Sequence, residues 1–164
     1  KAYPVGLLTH HEVVNDTVGG EPIFAAYCIL ADLGAVYSRT VGDHTLTFGV
    51  SGYTYADPEI WDGMDAFVLW DRDTESLWWP LVGKAVSGPM LGSPLPLMDE
   101  RHWSQTTWAE AKARYPDVRV PKLELAGTAT RPADDRAAVG PAASADATGA
   151  RVSPRWGENR DLGE

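Results

Sequence analysis

"AVYSRTVGDHTLTFGV", residues 35–50, is the stretch from which the architecture can be read. Its second part, "TLTFGV", alternates strictly, with Leu46, Phe48 and Val50 on one side and Thr45, Thr47 and Gly49 on the other. A period of two with β-branched and aromatic residues marks a half-buried strand. "AVYSRTV" ahead of it has similar β character, and the intervening "GDH" supplies the glycine and aspartate of a tight turn. The stretch is expected to form a β-hairpin. Residues 66–83 repeat the plan: "AFVLW", the polar "DRDTES" and then "LWWPLVG" read as a second hairpin. "PIFAAYCILA", residues 22–31, is the longest uncharged apolar run and reads as a buried strand. It falls short of the roughly 18 apolar residues of a membrane span. "GPMLGSPLPL", residues 88–97, is broken by Gly and Pro into loop.

One helix stands out. In "TTWAEAKARYP" Thr107 and Glu110 form a capping box and Pro116 stops the run, which places a helix near 107–115. The expected fold class is therefore mainly β (α+β): a compact β-rich domain over residues 1–125, with one clear helix, short helical turns and an extended C-terminal tail. No internal repeat is visible.

The chain has 164 residues, with seven Trp, six Tyr and three Phe to fill a core. A net charge of −9 argues against general nucleic-acid binding and against docking on anionic lipid through a polybasic patch. A single cysteine, Cys28, excludes an internal disulfide framework and an all-cysteine zinc site. Residues 126–164 are rich in Ala, Gly, Pro and Asp and hold almost no large apolar side chain. Such a segment cannot offset its ordering entropy alone. It is expected to become ordered on its own domain or, as a strap, on a partner. Trp156, with Arg155 and Arg160 beside it in "SPRWGENR", is the expected anchor.

"THHEVVNDTVGG", residues 9–20, approaches the zinc-protease pattern His-Glu-x-x-His. The pattern needs histidines one helical turn apart. Here His11-Glu12 is followed by Val13, Val14 and Asn15, so the second histidine is missing. Read as a strand, His10 and His11 point to opposite faces, which leaves one histidine for any site. Asp16, Thr17, Gly19 and Gly20 have a plain reading as turn chemistry. Cys28, inside an apolar run, is most simply a small buried hydrophobe. Its functional alternative is a thiolate ligand or redox thiol beside His11, a pair suited to copper or zinc. His44 and His102 show no spacing that predicts convergence. The acidic pairs Asp71/Asp73 and Asp99/Glu100 read as solvated turns, and no Gly-x-Ser-x-Gly elbow or P-loop is present.

"KAYPVGLLTHHEVVNDTVGGEPIFAAYC", "LTFGVSGYTY", "LWDRDTESLWWPLVGKAVSGPMLG" and "TTWAEAKARYPD" follow one another in an order that resembles the DUF3179 family, bacterial and archaeal domains of unknown function. The resemblance covers roughly residues 1–120. It implies export or membrane association, and hence a periplasmic or outer-surface location. It also implies a further β-rich segment ahead of the Ala2-Tyr3-Pro4 block. Family members typically carry Cys-x-x-Cys in a "TYCPLC"-like block; here "AYCILA" keeps Cys28 and has Ala31 in the second place. One cysteine can neither cycle as a dithiol nor give two ligands to one metal. By the same resemblance, His11, Glu12, Asn15 and Asp16 match a "HEIVND"-like block.

These readings lead to a non-catalytic accessory subunit of a larger, membrane-associated complex, for example a respiratory or photosynthetic assembly. It would bind neighbouring subunits through its surface and tail, without cofactor, nucleic acid or a transmembrane segment of its own. The alternative is a periplasmic copper/zinc-binding or thiol-redox protein using Cys28 and His11. A hydrolase using His11 with Glu12 or Asp16 is the third reading.

Overall fold

The structure, a computed structural model, describes residues 1–60, 65–121 and the backbone of 151–154. It opens with helix α1 (Val5–His11), followed by β1 (Val13–Val18), β2 (Glu21–Cys28) and β3 (Leu33–Ser38), which pair antiparallel in that order. A small hairpin, β4 (Thr40–Val41) and β5 (His44–Thr45), leads into β6 (Phe48–Ala56), β7 (Ala66–Asp71), β8 (Leu77–Trp79) and β9 (Lys84–Ser87). These form a second antiparallel sheet, to which β10 (Arg151–Pro154) is added at the β6 edge. In sequence, helix α2 (Trp108–Arg114) falls between β9 and β10. The β-rich expectation with a well-marked helix near 107–115 is met, and the Thr107–Glu110 capping box is formed. Among the described residues no helix is long and apolar enough to cross a membrane.

The expected hairpin over 35–50 forms only at its tip. Val41 faces His44 across Gly42-Asp43, and Gly42 takes φ +60, a left-handed value that a side chain would resist. Leu46 N–H still bonds to Arg39 O. One residue later the chain changes partner: Arg72 N–H donates to Thr47 O, and Phe48 pairs with Asp71. The two long strands therefore enter different sheets, and the stretch is a corner between them. Alternation specifies which side chains are buried, and Leu46 and Phe48 are, but it does not name the neighbouring strand.

The sheets meet through aromatic rings. Phe24 of β2 stacks on Tyr37 of β3 and leans on Phe48 of β6, with centroids 5.2 and 4.3 Å apart, and Phe48 meets Trp78 edge-on at 5.9 Å. Trp78 and Trp79 are fully buried, so neither is available as a surface contact. Each such side chain contributes roughly 1.5–3 kcal/mol by leaving water. On the other face of the first sheet Leu8 of α1 packs with Val14 and Tyr27, and Tyr3 and Leu7 cover them.

Candidate functional site

The histidine-containing block straddles the junction of α1 and β1. His10 and His11 end a helix, not a strand. The short run "VGLLTHH" is helical because Leu8 buries against the sheet; Pro4 at its start makes no side-chain cap bond. Glu12 ends it in the left-handed region, φ 59, with its N–H donating to Leu8 O at 2.7 Å. The Glu12 carbonyl then accepts Tyr27 N–H at 2.9 Å, which docks the turn onto β2. Glu12 itself is buried.

Beyond Glu12 the strand sends alternate side chains to opposite faces. Asn15 points to the second sheet. Its amide donates to Phe48 O at 2.7 Å and its carbonyl oxygen accepts Phe48 N–H at 2.9 Å. The side chain thereby imitates a strand and ties β1 to β6. Asp16 faces the other way and accepts Lys1 Nζ at 2.6 Å and the Tyr3 hydroxyl at 2.8 Å. Partial burial pushes its carboxyl up, but the hydrogen bonds from Lys1, Tyr3 and Thr17 N–H outweigh this and hold it below the usual range. Tyr3 is shifted upward by burial and by the Asp16 carboxylate. The pair pins the N-terminal residues along β1, and Ala2 N–H to Arg119 O closes the same side.

Cys28 ends β2 on the face that carries Phe24 and Ala26, inside the main core. Helix α1, which carries His11, packs on the opposite face, the one bearing Val14 and Tyr27. The Cys28 thiol borders a small cavity of about 20 Å³ whose other walls include Ala26, Leu33, Ala66, Phe67 and Leu81. Ala31 lies exposed in the turn after β2. His44 is exposed on the β4–β5 hairpin and His102 is exposed ahead of α2. Among the described residues no three His, Cys, Asp or Glu side chains gather in a metal-holding group.

Asp71 was expected in a solvated turn and is instead fully buried. It accepts from Asp73 N–H, Thr74 N–H and Oγ1, Ser76 N–H and the Trp78 indole at 3.1, 2.5, 2.7, 3.3 and 2.7 Å. So many donors offset the loss of hydration, and the carboxylate organises the β7–β8 turn. Asp99, by contrast, is exposed, and the hydrogen bonds from Arg101 hold its carboxyl below the ordinary value.

An exposed aromatic surface on α2 was not read from the sequence. Helix α2 contributes no buried residue. Trp108 and the C-cap residue Tyr115 are 53% and 55% exposed, with Lys112 Nζ 5.7 Å from the Trp108 ring and Arg114 5.4 Å from the Tyr115 ring. A capping box ahead of an apolar-poor run signals a helix whose stability is local, and that signal was present in "TTWAEAKARY". The expected anchor residues Arg155, Trp156 and Arg160 lie outside the described residues.

No curated protein and no solved structure matches the sequence. A family model described as "Protein of unknown function (DUF3179)" matches residues 1–132, which takes in both sheets apart from β10, the histidine-containing block and α2. The chain belongs to the DUF3179 family.

Proposed function

We propose that this protein is a non-catalytic accessory subunit that docks on the other subunits of a larger, membrane-associated complex. The observation that carries the reading is α2, a capped helix held outside the core with Trp108 and Tyr115 turned to solvent under basic side chains. Aromatic residues beside cations are the usual anchors of protein interfaces, because they desolvate a large area at little entropic cost. Helix α2 contributes no buried residue to the core. The block residues support the same reading from the other side. Asn15 and Asp16, which a catalytic reading would enlist, are engaged in joining β1 to β6 and to the N-terminal residues. The periplasmic or outer-surface location is carried over from the resemblance of the sequence to exported and membrane-associated family members.

The test is native purification in mild detergent, with mass spectrometry of co-eluting chains and metal analysis of the same sample. Stoichiometric partner chains are the expected result. A chain that runs alone with about one copper or zinc would overturn the reading. Cys28 and His11 would then be examined as ligands of a site.

A further inference from the structure

Helix α2 is exposed but tied down on both flanks. Ahead of it, the Trp103 indole donates to Met98 O at 2.8 Å and Gly34 N–H donates to Gln105 Oε1 at 3.2 Å. Behind it, Ala2 N–H donates to Arg119 O at 2.8 Å. With the capping box, these bonds fix the helix before any partner arrives, so little ordering is left for binding to impose. Its charge runs against that of the chain. The sequence holds 23 Asp and Glu against 14 Lys and Arg, whereas residues 108–121 set Lys112, Arg114 and Arg119 against Glu110 and Asp117. The Glu110 carboxylate is turned back to the cap, where it accepts the Thr106 and Thr107 hydroxyls at 2.7 and 2.8 Å. Among the described residues Lys112 and Arg114 have no carboxylate within ion-pair distance, and each lies against an aromatic ring instead.

We infer that α2 is the docking surface for an acidic segment of a partner subunit, one that brings Asp or Glu side chains to Lys112 and Arg114. The inference rests on the accessory-subunit reading and names the chemistry of the partner. Covering Trp108 and Tyr115 takes the two neighbouring cations out of water as well. A buried charge without a counter-charge is strongly unfavourable, and an aromatic face offsets only part of that loss. A partner that buries the rings therefore has to carry carboxylates, which accept charge-assisted hydrogen bonds from the ammonium and guanidinium groups. A neutral or basic surface would leave both cations desolvated and unpaired. An anionic lipid surface fits less well, because a chain of net charge −9 is repelled by a negative membrane and offers it only these few cations.

Zero-length carbodiimide cross-linking of the full chain in its native mild-detergent extract tests it. The reagent joins an amine to a carboxylate only where the two are in contact. The expected product links Lys112 Nζ to an aspartate or glutamate of a co-eluting chain, located by mass spectrometry. Lys112→Arg removes the amine and keeps the charge, so the cross-link disappears while the partner is retained. Lys112→Glu/Arg114→Glu places like charges against the partner's carboxylates and lowers its recovery by about tenfold or more. A partner that an amine-reactive linker joins to Lys112, that carbodiimide never does and that survives the charge reversal overturns the acidic segment and leaves the accessory-subunit reading standing. If no chain co-elutes, that reading fails and this inference falls with it. A Lys112 link to a second copy of this chain overturns it too. So does binding of the purified chain to phosphatidylglycerol vesicles that the charge reversal abolishes.

Discussion

Replacing Asn15 by alanine removes the side chain that bridges the sheets. The Asn15 amide makes both hydrogen bonds to Phe48, at 2.7 and 2.9 Å, from a partly buried position. Each bond contributes about 1 kcal/mol net, and a main-chain group left unsatisfied costs roughly 1–3 kcal/mol more where water cannot reach it. Because the site is only partly buried, water replaces part of what is lost. The expected destabilisation is about 2–4 kcal/mol, near the upper end for a polar substitution. Asn15→Asp is the sharper variant. An aspartate keeps the acceptor for Phe48 N–H but turns a second oxygen toward Phe48 O, so its protonated form suits the folded state better than its charged form. The folded pKa of that carboxyl is raised, its contribution is intact below the unfolded value near 4, and it is lost as pH rises through the folded value. The Asn15→Asp deficit relative to wild type should therefore be largest at about pH 7 and shrink toward about pH 4. Urea melts followed by tryptophan fluorescence report it, since buried Trp78 touches Phe48. A midpoint for Asn15→Ala equal to that of wild type, with an unchanged m-value, would refute the claim that this residue serves the fold.

Asp71→Ala should cost about 3–5 kcal/mol, because it strands the donors around a fully buried carboxylate; Asp71→Asn should cost less, and urea melts distinguish them. Gly88 has φ +86, and a Cβ there would lie 2.7 Å from Ser76 Cα, so Gly88→Ala should lose about 2–4 kcal/mol and lower the melting temperature measured by calorimetry. The Asp16 carboxyl is depressed in the fold, so its contribution is present above the unfolded pKa near 4 and disappears as pH falls through the folded value. Protection of the Ala2 and Thr17 amides against exchange, relative to their intrinsic rates at each pH, should fall in that acid window in wild type and at neutral pH in Asp16→Asn, while the global loss stays within about 1 kcal/mol because Lys1 is exposed. Cys28→Ala should cost roughly 1–2 kcal/mol as a lost core contact and leave partner binding unchanged in co-purification.

Much of the sheet architecture was legible because it is written in short-range patterns. The β7–β8 hairpin, the buried β2 and the capped α2 each follow from periodicity and turn or cap residues within a few positions. What was not legible depends on distant partners. Helix α1 is too short to be stable alone, contains Gly6 and lacks a side-chain cap; only Leu8 packing on Val14 and Tyr27 makes it a helix. The two histidines at its end therefore looked like strand residues. Asp71 sits in a run as polar as any surface turn, and its burial follows from Trp78 reaching back to it. The block matching "HEIVND" looked like a site because its residues are polar and clustered. Two of those side chains, Asn15 and Asp16, prove to point to opposite faces of β1 and to bond in different places. The exposed face of α2 was missed because a tryptophan in a sequence is more often a core residue than a surface one.

The central claim is that the surface of this protein, and not a Cys28–His11 site, performs its role. The most direct measurement repeats the native purification with two full-chain variants beside wild type, Trp108→Ala/Tyr115→Ala and Cys28→Ala/His11→Ala, and quantifies co-eluting chains by mass spectrometry. The account predicts that partners are lost with the first variant and retained with the second. Retention with the first and loss with the second, accompanied by loss of bound metal, would contradict it.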